Sequence, residues 1–304
     1  MLVQLDDVTV FQTAAFAENV DSEVSISNVM LKTGQASYGA LNLGLHVNDN
    51  AIKVLNNRMS LMAAINEQLI DQQRLPIDSL HWINQVHGKQ VHDIDASSLS
   101  MCPVAADALV SEQPQLGLAV MTADCVPIVL YQPASGKIAA IHAGWQGLAC
   151  GVIQATAERF TINAPIMAWI GVCISQPNYE VDDQVRDKLL SGCIENKSLS
   201  AEHLDNFAAL FSISANSVTN AKAVSSDADT ICSANATDSN DKIKLDLPKL
   251  AAYQLETLNI RVLNDSAIDC SYANTNYYSY RRQTHLQQPA TGRMALVIVR
   301  SLAI

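Results

Sequence analysis

Thr122-Ala-Asp-Cys125-Val-Pro-Ile-Val-Leu-Tyr-Gln-Pro133-Ala-Ser-Gly136-Lys-Ile-Ala-Ala-Ile-His142-Ala-Gly-Trp-Gln-Gly147 is the stretch on which the fold turns. Two apolar runs, Val126 to Tyr131 and Ile138 to Ile141, flank a Pro-Ala-Ser-Gly turn, so the stretch is expected to fold as a β-hairpin. With the turn centred between Ala134 and Ser135, Cys125 faces Gly144 and His142 lies on the neighbouring diagonal, within about 7 to 8 Å. A thiolate and an imidazole then meet at the open end of the hairpin. Together they suit a borderline-soft transition metal, zinc in the first place and copper in the second. A third protein ligand leaves one coordination position open for water or substrate.

His87 is the expected third donor. In Asn84-Gln85-Val86-His87-Gly88 a polar residue stands on either side of Val86 and a glycine follows, which predicts a strand ending in a turn. His81 and His92 lack that setting. Gly144 and Gly147 permit close backbone approach to a ligand, and a helix from about Gly147 to Phe160 offers its first N–H groups to a phosphate or carboxylate. A second cluster, Tyr277-Tyr-Ser-Tyr-Arg281-Arg282 followed by Thr291-Gly-Arg293-Met294, supplies aromatic faces and guanidinium forks. Its plainer reading is a strand with alternating packed faces and arginines paired to surface carboxylates.

Further out, Leu116 to Ala123, Met167 to Ile170 and Ala295 to Val299 read as buried strands. Asn48 or Asp49 is placed to cap a helix running to about Ile70, with Ile52, Val54, Leu55, Met59, Leu61, Met62 and Ile65 on its apolar positions. Another helix is expected from Asp246 to Leu258, with Pro248 tolerated in the first turn. The class is α/β: a mixed β-sheet sandwiched with helices in one domain spanning residues 1–304. Residues 212–239, rich in Ser, Ala, Asn, Asp and Thr, read as a surface insertion.

The 304 residues carry a formal charge of −11 with only 19 Lys and Arg, which argues against a grip on nucleic acid or anionic lipid. No run of about 18 apolar residues occurs, and Asp6 and Asp7 stand where a secretory peptide has basic residues, so a cytoplasmic protein is expected. Seven cysteines at irregular spacing suit a reducing compartment.

The sequence resembles the YfiH-type family, variously labelled laccase-domain, multicopper polyphenol oxidase or purine nucleoside phosphorylase. The likeness runs through Ala40-Leu-Asn42-Leu-Gly-Leu-His46-Val47, Asn57-Arg58, Gln85-Val-His-Gly88, Ala106-Asp107-Ala108, Thr122-Ala-Asp-Cys125, His142-Ala-Gly-Trp145, Tyr179-Glu-Val181, Asp246-Leu-Pro248, Tyr278-Ser-Tyr-Arg-Arg282 and Thr291-Gly-Arg-Met294. It implies a YfiH-like (cytotoxic necrotizing factor-like) fold and a zinc site at His87, Cys125 and His142. It also implies phosphorolysis of adenosine, inosine and methylthioadenosine, with adenosine deamination as a second activity. Some relatives are instead assigned a role in editing peptidoglycan precursors, which corresponds to Cys125 acting as the nucleophile of an amide hydrolase.

On this reading the catalytic residues are Cys125, Asp124 and Arg281, with Asn42 and Arg282 contacting substrate. Arg281, Arg282 or Arg293 holds phosphate and Asp124 or His46 moves a proton. The partners are then a purine nucleoside and phosphate, bound by a monomer or small homo-oligomer. The chain departs from the family pattern at Ser27 to Lys32, where an arginine is usual, at Gln146 and Val172, and in the longer stretch from His285 to Ala290.

Overall fold

The computed structural model describes residues 3–15, 34–95, 103–161, 163–214, 242–264 and 266–304. The hairpin sits at the centre: Val126–Gln132 pairs antiparallel with Lys137–Ala143, from Val126 opposite Ala143 to Gln132 opposite Lys137. That is the register which the turn position predicts. Ile166–Ile170 and Ala108–Ser111 flank the hairpin antiparallel, and parallel edge strands Ile260–Val262 and Val91–Asp93 complete six strands.

A second sheet has the order Val3–Leu5, Val8–Gln12, Met294–Arg300, Leu116–Thr122, Ser79–His81, antiparallel except for its last pair. The mixed α/β class therefore holds, with most strands divided between two large sheets stacked face to face and three more, Glu180–Val181, Ile243–Leu245 and Ser212–Ser214, in a small sheet of their own. Side-chain alternation explains the stacking. Leu116, Leu118 and Val120 point between the sheets, where they join Val129, Tyr131, Ile138 and Ala140 in one core. Ala119 and Met121 point the other way, into a core with Leu61, Ile65 and Leu69 of the helix Ala51–Asp71. Val126, Ile128 and Leu130 face a third core with the helices Val152–Ala157, Asp183–Glu195 and Leu247–Thr257. The strands Leu116–Thr122 and Val126–Gln132 are covered on both faces, so they read as unbroken apolar runs rather than alternating ones. Each fully buried Leu or Ile there contributes roughly 1.5–3 kcal/mol.

Several local expectations change. The helix expected from Gly147 to Phe160 is two short ones, Trp145–Cys150 and Val152–Ala157, separated by Gly151 at φ +82°. A left-handed glycine closes the first helix, and the carboxamide of Asn196 fills the space that a side chain at 151 would need. The first piece has only six residues, too short for the anion site expected at its start.

Asn50, not Asn48 or Asp49, caps the helix Ala51–Asp71, its side chain accepting from Lys53 N at 3.1 Å. The buried stripe is Val54, Leu61, Ile65 and Leu69, while Ile52 and Met59 are 71% exposed. Ser212–Ser214, at the edge of the supposed insertion, is a strand against Ile243–Leu245. The rest of that insertion, and the Ser27 to Lys32 departure, lie outside the described residues. Among the described residues no helix is long and apolar enough to cross a membrane.

Candidate metal centre

The chain passes from the five-stranded to the six-stranded sheet between Thr122 and Val126, and Cys125 lies in that crossover. The short passage takes Asp124 to φ +109°, a rare region for any residue with a Cβ. Three bonds hold it there. Its carbonyl accepts from Ile174 N at 2.9 Å, Oδ1 from the Ser271 hydroxyl at 2.7 Å, and Oδ2 from Arg281 N at 2.6 Å. Both carboxylate oxygens of Asp124 are thus engaged in fixing the backbone that presents Cys125.

His142 ends the strand Lys137–Ala143 and is 2% exposed. Its Nδ1 lies 3.0 Å from Oδ1 of the fully buried Asp107, and its backbone N donates to Asp107 O at 2.8 Å. A hydrogen bond at Nδ1 leaves Nε2 as the ligating nitrogen, the usual way in which a carboxylate orients a metal-binding histidine. Asp107 also accepts from His87 N at 2.9 Å and Gly88 N at 2.6 Å. One carboxylate therefore aims one imidazole and folds the loop bearing the other.

That loop is not the strand expected at Asn84 to His87. His87 adopts φ +60°, and Gln85 ties the loop to Met121 by two 2.8 Å bonds. Pairing stops at a single bridge between Asn84 and Ala105, because the next backbone donors turn inward onto Asp107 and Gln85 turns onto Met121.

The His87 and His142 rings meet edge to face at 4.7 Å between centroids, and His87 Nε2 is 4.0 Å from Cys125 Sγ. The three donors all lie within 4.8 Å of one another, and they are the one group of three or more His, Cys, Asp or Glu gathered this closely among the described residues. Tetrahedral zinc with bonds of about 2.0–2.3 Å holds its donors about 3.4–3.8 Å apart, so a small closure of the ligands suffices. Gly144 makes room: a Cβ there would stand 3.0 Å from Cys125 Sγ and 3.3 Å from His87 Cδ2. The donor set thus fits zinc. His87 is exposed and Cys125 half-buried, which leaves one side open.

The electrostatics couple the thiol to the two imidazoles. Burial pushes the Cys125 thiol up, but the charges and hydrogen bonds of His142 and His87 outweigh it and bring it to about 6. Burial pushes His142 down, yet Cys125 and Asp107 outweigh it and raise it to about 9. Burial also opposes ionisation of Asp107, and the bonds from His142, Gly88 and His87 hold its carboxyl below the usual range.

The other expected site residues are arranged differently. Asn42 is fully buried; its Oδ1 accepts from Gly44 N and Arg293 N and its amide donates to Asp49 at 2.9 Å. Arg282 is buried and donates to the carbonyls of Ser271, Tyr272 and Tyr277. Both residues are thus tied into the fold by several hydrogen bonds. Arg281 donates to Glu180 O at 2.6 Å and lies 5.3 Å over the Tyr179 ring.

Tyr277 to Tyr280 are not a strand. Tyr278 is buried with its hydroxyl on Ala15 O and Tyr38 O, and Tyr280 opens the helix Tyr280–His285. His81 bonds Ser79 and, like His92, stands outside the donor group. Asp107 is the functional residue that sequence reasoning missed, although an aspartate between alanines at the head of the apolar strand Ala108–Ser111 is a signal for a buried, partnered carboxylate.

Residues 29–214 and 207–301 match the family described as multi-copper polyphenol oxidoreductase laccase. The Escherichia coli protein named purine nucleoside phosphorylase YfiH is 36% identical over 173 residues, 57% of this chain and 67% of that protein. A Pseudomonas aeruginosa protein also named a purine nucleoside phosphorylase is 34% identical over 165 residues, 54% of this chain and 62% of that one. The chain thus aligns with about two thirds of the length of these relatives.

Among solved structures, a Neisseria meningitidis protein superposes with a TM-score of 0.64 at 27% identity, covering 97% of this chain and 94% of that one. The Bacillus licheniformis hypothetical protein YfiH superposes at 0.65 and 25% identity, covering 96% and 92%.

Proposed function

The chain belongs to the multi-copper polyphenol oxidoreductase laccase family, and from that premise we propose that it is a zinc-dependent purine nucleoside phosphorylase with adenosine deaminase as a second activity. Its substrates on this reading are adenosine, inosine and methylthioadenosine, with phosphate as cosubstrate. The observation that carries it is the three-donor set His87, Cys125 and His142, oriented by Asp107 and open on one side. The names of the E. coli and P. aeruginosa relatives support the reaction class.

His87, Cys125 and His142 would hold the zinc, which when bound would supply Lewis acidity and, for deamination, would activate a water. The protein's own groups hold and aim. Asp107 keeps His142 in the ligating tautomer, and Asp124, bonded to Ser271 and Arg281, fixes the turn that carries Cys125. His46 stands nearby; burial together with Arg293 and Arg58 pushes its pKa down to about 4, so at neutral pH it is an uncharged imidazole.

A chromatographic assay of adenosine with and without phosphate tests the proposal. Phosphate-dependent release of adenine supports it, and inosine formed without phosphate supports the deaminase activity. Adenosine left intact by zinc-replete protein under both conditions would rule it out.

A second reading has a specific observation behind it. Asp107, His142 and Cys125 stand in the order orienter, base and nucleophile, which suits a cysteine amide hydrolase acting on peptidoglycan precursors. Such an enzyme keeps its activity after chelation and loses it to iodoacetamide, the reverse of a zinc enzyme protected by its metal. Copper-dependent oxidation of polyphenols, the reaction in the family's description, calls for several histidine-rich copper sites, whereas only two of the seven histidines join the donor group. Phenol oxidation by copper-loaded protein above a free-copper control would favour it.

A further inference from the structure

Two further cysteines, outside the donor group, are set side by side by the fold. Cys173 and Cys270 are partners in an isolated parallel bridge, with Ser271 N donating to Cys173 O at 2.9 Å. Bridge partners stand about 5 Å apart between Cα atoms and turn their side chains to one face. That spacing lies inside the range of about 4.4–6.8 Å found across disulfides. Both thiols are free.

The two sulfurs have different surroundings. Cys173 is 1% exposed, in the same core as Val126 and Ile128, and burial pushes its thiol up. Cys270 is half-buried, and its Sγ accepts from Ser175 N at 3.3 Å, Asn178 Nδ2 at 3.3 Å and Ala273 N at 3.4 Å. Three N–H donors on one sulfur match a thiolate rather than a thiol. Burial pushes Cys270 up, but these bonds outweigh it and hold the thiol below its ordinary value. Cys193 shows the contrast: its thiol donates to Leu148 O, and burial raises it to about 11.

Each of the paired cysteines also precedes a residue that holds Asp124. Ile174 N donates to Asp124 O at 2.9 Å, and the Ser271 hydroxyl donates to Asp124 Oδ1 at 2.7 Å.

We propose that Cys270 is a hydroperoxide-reactive thiolate which closes a reversible disulfide with Cys173 and thereby weakens zinc binding at Cys125. The Cys270 sulfur attacks the terminal oxygen of a hydroperoxide. The S–O bond forms, the O–O bond breaks, and the other oxygen leaves as water or an alcohol after taking a proton from solvent. The Cys173 sulfur then attacks that of Cys270: the S–S bond forms, the S–O bond breaks, and hydroxide departs as water with the proton of Cys173. The dithiol is oxidised and the peroxide reduced. Cβ atoms of bridge partners stand about 4.5–5.5 Å apart, whereas a disulfide draws them to about 3.8 Å. Closing that gap displaces Ile174 and Ser271 from Asp124, and the φ +109° backbone that presents Cys125 loses part of its support.

The test treats zinc-replete full-length protein with hydrogen peroxide, wild type beside Cys270→Ser and Cys173→Ala. The readouts are peptide mass mapping without reductant and zinc affinity against a chelating dye, before and after dithiothreitol. Oxidised wild type should carry the Cys173 to Cys270 cross-link, bind zinc about fivefold more weakly or worse, and recover with dithiothreitol. Cys270→Ser should form no cross-link and keep its zinc affinity through the same treatment, and Cys173→Ala should accumulate a sulfenic acid at Cys270 that dimedone traps. Free thiols at both positions in peroxide-treated wild type, or cross-linked protein with zinc affinity within about twofold of the reduced form, would overturn the proposal. No readout involves purine or phosphate, so the outcome is independent of the phosphorylase reading.

Discussion

The crossover at Cys125 and the segment from Tyr277 to Arg282 both crowd reactive residue types into a few positions, and they are built to opposite ends. At the crossover Asp107 and Asp124 absorb the hydrogen-bonding needs of their neighbours, which leaves the Cys125 sulfur and two imidazole nitrogens facing one another. In the later segment the polar atoms close on the protein itself: Tyr278 on two carbonyls, Arg282 on three, Ser279 on Arg282 N. A cluster becomes a site where its donors and acceptors stay unmatched by the fold, and a support where they are matched.

Variants on the two sides should separate metal binding from stability. Asp107→Ala carries the largest expected effect, because it strands the buried His142 ring N–H and takes the acceptor from the backbone N–H groups of His87 and Gly88. About 3 kcal/mol or more of stability should be lost by urea denaturation, and zinc affinity should fall about 10- to 100-fold. Wild-type zinc affinity in that variant would remove Asp107 from the centre.

Arg282→Ala should cost a similar amount, about 2–4 kcal/mol, by leaving buried carbonyls unpaired, yet keep zinc stoichiometry unchanged at temperatures where it is folded. Loss of zinc from folded Arg282→Ala would erase the contrast between the two regions.

How much of this was legible in the sequence follows from the same distinction. The hairpin register was readable because Pro133 to Gly136 fixes the turn and the flanking apolar runs fix the pairing, and that placed Cys125, Gly144 and His142 together. The division into two sheets was hidden: strands covered on both faces carry no alternation, so nothing in Leu116 to Thr122 says which sheet it joins. The break at Gly151 depends on Asn196, distant in sequence. The roles of Asn42 and Arg282 depend on backbone carbonyls and amides that no pattern of side chains reveals.

Smaller changes sharpen the comparison. Gly144→Ala should weaken zinc binding by about tenfold, since its Cβ presses on the Cys125 sulfur, with stability altered by less than about 1 kcal/mol. A competition titration against a chelating dye measures the first and denaturant unfolding the second; unchanged affinity would mean that the ligands sit further from Gly144 than described. Tyr280→Ala, on a side chain 56% exposed, should move stability by no more than about 0.5 kcal/mol and leave zinc affinity as it was. A large change in purine KM in that variant would make the segment a substrate contact.

The most direct measurement is the metal content of purified, zinc-replete protein, wild type beside Cys125→Ala, with Cys270→Ala as the control for loss of an unrelated thiol. The account predicts about one zinc per chain in the wild type and the control and a far lower content in Cys125→Ala, since two histidines alone are a poor zinc site. Equal zinc in all three proteins, or none in the wild type, would contradict it.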